Sequence, residues 1–138
     1  MSRLAFTCVV AVLLVASIQS QQALFSGEPK KFEMLSVSDG QLNDTLQKVK
    51  GNMRGSWVIG GNGVGMNVCN ICRVGISNIT ATNVTFTRGP CTKMYCKHTM
   101  SLENFALKTL SQTCSYTFNG QILTIKSANG QQITLKQL

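Results

Sequence analysis

The chain has 138 residues and carries 13 Lys and Arg against 5 Asp and Glu, for a formal net charge of +8. Its length suits one domain, and the paired carboxylates of glycosidases are excluded beyond Asp44, where Glu103 is the only acid. From Thr45 onward ten basic residues stand against that one acid, which favours an anionic glycan or lipid surface as partner. Because they are scattered singly, a solvated basic surface is the plainer interpretation, and no specific nucleic-acid partner is predicted.

The first 20 residues have the layout of a secretory signal peptide. Residues 1–3 form a short basic region, residues 4–18 are mostly apolar, and Ser20 is a small residue before the cleavage point. The apolar run of about 15 residues is shorter than the ~20 that a membrane anchor needs. We therefore expect a soluble protein, secreted or in the lumen of the secretory pathway, that begins near Gln21. A signal anchor is the alternative.

The mature chain opens with a polar leader at residues 21–31. Residues 32–37 predict a first strand, which ends at the turn residues 38–40. Apolar residues at positions 42, 46 and 49 have helical spacing, so residues 42–51 predict a short helix.

The central part predicts strands. A strand at residues 56–59 leads into the glycine-rich residues 60–63, which indicate a hairpin turn. A phosphate-binding loop is not indicated there, because no helix follows. Apolar side chains of one parity predict a long strand over residues 64–76 with a bulge near Cys69-Asn70, and residues 83–87 alternate like another strand.

The last third predicts a helix and three strands. Ser101 suits the N-cap of a helix with Glu103 in its first turn. The apolar stripe of this helix comprises Leu102, Phe105, Ala106, Thr109 and Leu110. Residues 115–126 predict a hairpin with a two-residue Asn119-Gly120 turn, and a third strand follows at residues 131–136. Of the aromatic residues, Tyr95 and Tyr116 are expected to be exposed, which gives nucleic-acid stacking little support.

Three sequons, at Asn43, Asn78 and Asn83, predict N-glycosylation in a eukaryotic secretory pathway. They lie on predicted turns or on the polar face of a strand. Attached glycans need such exposed positions.

Five cysteines remain once Cys8 leaves with the signal peptide, namely Cys69, Cys72, Cys91, Cys96 and Cys114. In an oxidising compartment they should form disulfides, with one left unpaired. A bond between Cys69 and Cys96 would close a loop of about 28 residues and contribute about 3–4 kcal/mol. Pairing of Cys91 with Cys114, or of Cys72 with either, stays open.

The cysteines and His98 also have the composition of a zinc site or a Cys–His catalytic site. A zinc site is not favoured, because Cys69 and Cys72 would point to opposite faces of a regular strand and because the compartment is oxidising. Catalysis is not favoured either, since at least four cysteines have a structural use and His98 is the only histidine. We expect no enzymatic activity, no metal and no cofactor.

Five segments, in order, resemble the motifs of one family. They are residues 32–40, Val68-Cys69-Asn70, Thr92-Lys93-Met94-Tyr95-Cys96, Glu103-Asn104-Phe105, and residues 116–135. The second resembles a "G-C-N" strand with Val68 where Gly is usual, and the third resembles "T-[RK]-M-x-C". This is the pattern of the META/HslJ-like domain, over nearly the whole mature chain. The motif residues carried over are Asn70, Thr92, Lys93, Met94 and Glu103.

The resemblance implies a compact α+β domain over residues 32–138, with an antiparallel, partly closed β-sheet packed against one main α-helix. Members resemble small bacterial envelope or heat-shock-inducible proteins and trypanosomatid proteins linked to virulence and secretion. No enzymatic activity comes with the family. Cys72, Cys91, Cys114 and the strong positive charge are departures that suit a secreted, disulfide-stabilised variant.

We therefore expect a secreted, non-enzymatic binding or stress- and virulence-associated module. One alternative is an interaction or structural protein that forms a disulfide-linked dimer through its unpaired cysteine. A second is a small secreted inhibitor, for example of a protease. The inhibitor is least favoured, because the cysteine number is odd and no rigid exposed loop is evident from the sequence.

Overall fold

The computed structural model describes residues 23–40, 47–49 and 53–138. Within these ranges every pair of neighbouring strands is antiparallel. The elements are β1 (Lys30–Ser38), β2 (Gln47–Lys48), β3 (Ser56–Gly60), β4 (Gly63–Asn67), β5 (Ile71–Ile79), β6 (Asn83–Cys91), α1 (Met100–Thr109), β7 (Thr113–Phe118), β8 (Ile122–Ser127) and β9 (Gln132–Gln137).

Strand β1 closes the sheet into a barrel, because it pairs along both of its edges. Its first residues pair with β3, and Phe32–Ser38 pair with β9. From β3 to β9 each strand pairs with the next, so β1 and β3–β9 form a closed antiparallel barrel of eight strands in the described chain. A bulge between Met34 and Ser36 bends β1 between its partners. The expected antiparallel sheet is present, but a closed barrel replaces the predicted partly closed sheet packed against one main helix.

Alternate side chains of the strands fill the barrel. Trp57 and Ile59 of β3, for example, are fully buried, whereas Val58 between them faces outward. The same period-2 pattern runs through β4 and β7–β9. The largest fully buried side chains include Trp57, Phe25, Phe32, Met34, Ile59, Met66, Leu110, Leu123, Ile125, Ile133 and Leu135. One continuous core therefore lies inside the barrel.

Helix α1 connects β6 to β7 and covers one end of the barrel. Its buried side chains Ala106 and Leu107, with Leu110 just beyond it, join the core. The predicted apolar stripe is confirmed, because Thr109 is also fully buried and Leu102 and Phe105 pack against the core, whereas Leu107 was not among the predicted residues. The helix begins two residues earlier than predicted, with Thr99 rather than Ser101 at the N-cap.

The other end of the barrel is filled from the N-terminal side, where residues 23–26 are helical. The Phe25 ring is fully buried and lies edge-on to Tyr116, with ring centroids 4.9 Å apart. The amides of Gly61 and Asn62, in the β3–β4 turn, donate to the carbonyls of Gly27 and Phe25 at 2.8 and 2.7 Å. The end of the predicted leader therefore packs as part of the domain.

Two predicted elements of the first half are wrong. The predicted long strand over residues 64–76 is two strands, β4 and β5, because the chain reverses at residues 68–70. The predicted helix over residues 42–51 does not extend to its end, since Gln47–Lys48 pair with β1 as β2. Residues 41–46 and the predicted signal peptide lie outside the described residues.

Two predicted turns form. In the β3–β4 hairpin, Gly61 and Asn62 have φ of 60° and 62°, the left-handed conformation that such tight turns require. In the β7–β8 hairpin the Asn119 amide donates to the Ile122 carbonyl at 3.3 Å. The two central residues are therefore Gly120 and Gln121, one position later than predicted. The reason is that the Asn119 side chain caps the turn, accepting from the amides of residues 121 and 122.

Among the described residues, no helix is long and apolar enough to span a bilayer.

Candidate functional site

The Glu103 carboxylate connects α1 to the β4–β5 turn. Glu103 is 2% exposed, and its carboxylate accepts hydrogen bonds from the backbone amides of Cys69 and Asn70. It also accepts from Asn70 Nδ2 at 2.8 Å. A buried carboxylate needs such donors in place of water. Three donors from one turn hold the turn against the helix.

The Asn70 amide carries this connection on to the chain after β6. Its Oδ1 accepts from the Met94 backbone amide at 2.6 Å and from the Thr92 hydroxyl at 3.1 Å. Its Nδ2 also donates to the Met94 carbonyl at 3.1 Å. The structure thus brings together four of the five family-motif residues predicted from the sequence. Their polar groups are used on one another, which indicates a structural role. The fifth, Lys93, is exposed.

Two disulfides surround this cluster. Cys69 is bonded to Cys96 and Cys72 to Cys91, with Cα–Cα distances of 5.8 and 4.1 Å. The first pair is the predicted one, and the second is among the pairings that the sequence left open. Both fit an extracellular or otherwise oxidising environment. No group of three or more His, Cys, Asp and Glu in the described chain is placed to hold a metal ion.

Cys114 is the unpaired cysteine of the described chain. It is 1% exposed, and burial raises the pKa of its thiol to about 11. A disulfide-linked dimer through Cys114 is therefore contradicted by its position inside the barrel, because the sulfur cannot reach a second chain. The burial of Cys114 was not predicted, because the strand was expected to begin at residue 115. β7 begins at Thr113, and its alternation places residue 114 inward.

The glycosylation candidates and the two tyrosines take no part in this hydrogen-bond network. Asn78 and Asn83 are exposed near the β5–β6 turn, so glycosylation there stays a prediction, and Asn43 lies outside the described residues. Tyr95 is 82% exposed, as expected. The expectation for Tyr116 is wrong, because β7 turns it inward, where its hydroxyl donates to the Thr80 carbonyl at 2.9 Å.

The outer face of β3–β6 holds a groove of about 730 Å³, which sequence reasoning missed. Its floor is β4, whose outward positions are Gly63, Gly65 and Asn67. On either side of Gly65 in the strand register stand Val58 of β3 and Arg73 of β5. The missing side chains of β4 therefore form a trough between taller neighbours. Glycine at two successive outward positions of one strand was the available signal.

Gly65 has no conformational reason to be glycine. Its φ is not in the left-handed region, and a Cβ built on it would meet only the Val58 carbonyl oxygen, at 4.0 Å. Gly89 of β6 differs, because a Cβ on it would overlap the Arg73 carbonyl oxygen. A glycine inside a strand weakens it, and it often marks a site where a ligand or another backbone approaches closely. Neither the backbone conformation nor close packing therefore requires the glycine that leaves the floor of the groove open.

The groove is cationic and partly apolar. Arg73 and Arg88 line it and are exposed, and no Asp or Glu lines it. Neither arginine forms an ion pair in the described chain, where the salt bridge joins Arg54 to Glu33 at 3.2 Å. Ile71 is 60% exposed at one end. The volume lies within the range of ~300–1,000 Å³ typical of small-molecule sites.

Comparisons with known proteins agree with this architecture. No curated protein matches the chain. A solved structure, described as "NMR structure of the protein from Burkholderia xenovorans", superposes with a TM-score of 0.65 at 12% identity, covering 89% of this chain and 87% of that one. At this identity the likeness shows the fold alone. A family model for the META domain matches residues 30–138. The chain therefore belongs to the META domain family.

Proposed function

We propose that this protein is a secreted, non-enzymatic binding module that takes an anionic sugar chain in the groove on the outer face of β3–β6. The two disulfides support an oxidising compartment. A part in stress response or virulence stays a prediction from the family resemblance.

The observation that carries the proposal is Gly65. A Cβ at this position would have space, and a β-branched residue is favoured in strands. The absence of a side chain at Gly65 leaves room for a ligand to lie against the β4 backbone. The groove runs along β4 and is open to solvent, which suits a chain-like ligand better than an enclosed small molecule.

The charge of the groove selects the class of ligand. Arg73 and Arg88 present planar guanidinium groups, which bind sulfate and carboxylate oxygens in bidentate geometry. Without a lining acid or an ion-pair partner in the described chain, both remain available to a ligand. Val58 adds an apolar wall on which a sugar ring can lie.

The state of the potential nucleophile supports a non-enzymatic role. The Cys114 thiol is buried and its pKa is raised to about 11, so it is protonated at neutral pH. His98 is exposed and forms no hydrogen bond within the described chain, so nothing orients it for proton transfer. Glu103 is engaged with the β4–β5 turn.

Heparin binding as a function of salt tests the proposal. The double variant Arg73→Gln/Arg88→Gln should elute from heparin at lower salt, and the slope of log Kd against log salt should fall by about 2, for two lost ionic contacts. The control Lys108→Gln/Lys126→Gln removes the same charge from exposed positions outside the groove and should change neither value by much. Gly65→Val should weaken binding at unchanged net charge.

If the two double variants elute from heparin at equally lowered salt, heparin is attracted by net charge alone, and the proposed site is overturned. Vesicles containing phosphatidylserine distinguish the second anionic source. If the wild type binds them more tightly than heparin, and Gly65→Val leaves heparin binding unchanged, the groove is not a sugar site.

A further inference from the structure

The segment Cys91–Cys96, which we call the clamped loop, is attached to the barrel at three points. Cys91 is bonded to Cys72 and Cys96 to Cys69. Between these ends, Asn70 holds both the amide and the carbonyl of Met94, at 2.6 and 3.1 Å. All three attachments lie within four consecutive residues at the β4–β5 turn. The six-residue loop therefore has little freedom to lose on binding.

The same attachments leave the outer side of the loop uncovered. Lys93 is exposed, Met94 is 59% exposed and Tyr95 is 82% exposed. Adjacent apolar side chains that are this exposed on a fixed segment indicate an interaction surface. Lys93 has no ion pair or hydrogen bond with the described part of the chain, and neither does Tyr95.

In the middle of the clamped loop, a residue whose main chain is hydrogen-bonded lies between two residues whose main chains are not. Asn70 occupies the main chain of Met94, while the amides and carbonyls of Lys93 and Tyr95 are unused within the described residues. The segment has no helical or strand assignment after Cys91. Such a segment can pair with the main chain of a partner's cleft in the manner of strand addition.

From this geometry we propose that the clamped loop is a substrate-like inhibitory loop for a serine protease of trypsin-like specificity, with Lys93 entering the primary specificity pocket. Such a pocket carries an acid at its base and selects a Lys or Arg side chain. The Thr92 hydroxyl, bound to Asn70 at 3.1 Å, fixes the residue before Lys93. This activity is independent of the groove.

Rigidity converts a substrate sequence into an inhibitor. A loop already held in its bound conformation avoids the entropic cost of ordering, so its complex is tight. Hydrolysis of the Lys93–Met94 bond by water would give a Lys93 carboxylate and a Met94 amine. Both products would stay attached, through the Cys72–Cys91 and Cys69–Cys96 disulfides and through Asn70. The cleaved ends would therefore remain in place and would not dissociate as a normal product does.

Inhibition of trypsin by the secreted, disulfide-intact protein tests the proposal, with residual activity on a chromogenic peptide as readout. We expect inhibition, weakened by about 30-fold or more in Lys93→Ala, since this removes a central buried anchor. Lys93→Phe should lose trypsin inhibition and gain inhibition of chymotrypsin, whose pocket is apolar. The matched control Lys97→Ala removes the same charge just outside the clamped loop and should inhibit like the wild type.

Asn70→Ala tests the contribution of rigidity. With Met94 released, the loop should become a substrate, and mass spectrometry should detect faster cleavage after Lys93 together with weaker inhibition. Absence of trypsin inhibition by the wild type at micromolar concentration would overturn the proposal. So would equal inhibition by Lys93→Ala, or turnover of the wild-type loop as an ordinary substrate. Arg73→Gln/Arg88→Gln should inhibit trypsin normally, which separates this result from the outcome for the groove.

Discussion

Asn70 is the residue whose chemistry is hardest to replace. Its amide donates to Glu103 and to the Met94 carbonyl while its oxygen accepts from Met94 and Thr92. A carboxylate of the same shape can accept but cannot donate. This need for both functions in one short side chain explains why Asn stands in the motif.

We expect Asn70→Asp to lower the free energy of unfolding by about 3 kcal/mol or more, because two donated bonds are lost and a second carboxylate meets the buried Glu103. Urea denaturation measures it. Asn104→Asp, an exposed change on α1, is the control and should stay within about 0.5 kcal/mol of wild type. An Asn70→Asp protein as stable as the control would refute the structural role.

Cys114 makes stability depend on pH in the alkaline range. Burial raises the pKa of its thiol from 9.0 to about 11, so the folded state holds the proton more tightly than the unfolded state. This contribution is complete below pH 9 and is lost as pH rises towards 11. Denaturation of wild type and Cys114→Ala between pH 8 and 11 should show a steeper decline for wild type, by about 2 kcal/mol in total. Parallel curves would contradict the assignment.

The secondary structure elements differ in how far the sequence predicted them. The Gly60–Gly63 and Asn119-Gly120 signals are local, and both hairpins form, the second with its turn one residue later than predicted. The turn at residues 68–70 was missed, because even-numbered apolar residues continue on both sides of it. The acid that fixes this turn is Glu103, more than 30 residues further along the chain. A local pattern could not reveal that contact.

Two glycines in the groove strands should respond oppositely to the same change. Gly65→Val should be neutral or stabilising, because the Cβ has space and valine favours strands. Gly89→Val should lower the free energy of unfolding by several kcal/mol, since its Cβ would overlap the Arg73 carbonyl oxygen. Thermal unfolding of both variants measures these two changes in stability. A marked loss of stability in Gly65→Val would mean that the glycine serves the fold and not a ligand.

At the scale of the whole molecule, two features depend on contacts between distant parts of the chain. Pairing of β1 with β9 joins the beginning of the domain to its end and closes the barrel. Phe25 fills one end, although it lies in a short apolar segment within a stretch that predicted only a leader. The sequence predicted the family and the antiparallel sheet. It did not predict the closure, because β1 and β9 lie at opposite ends of the domain sequence. It did not predict the groove, because the merged strand over residues 64–76 hid β4 as a separate strand between β3 and β5.

The protein has two separate candidate surfaces. The groove lies on the outer face of β3–β6, and the clamped loop projects beyond the end of β6. Each can be altered without the other, because the exposed Arg73, Arg88 and Lys93 take no part in the core.

The most direct test of the proposed function is an NMR titration of the ¹⁵N-labelled protein with a sulfated heparin hexasaccharide. If the sugar chain binds in the groove, the amides of Val58, Gly65, Arg73 and Arg88 should shift most, and Gly65→Val should remove these shifts. Shifts spread over basic residues such as Lys108 and Lys126, with none along β4, would contradict binding in the groove.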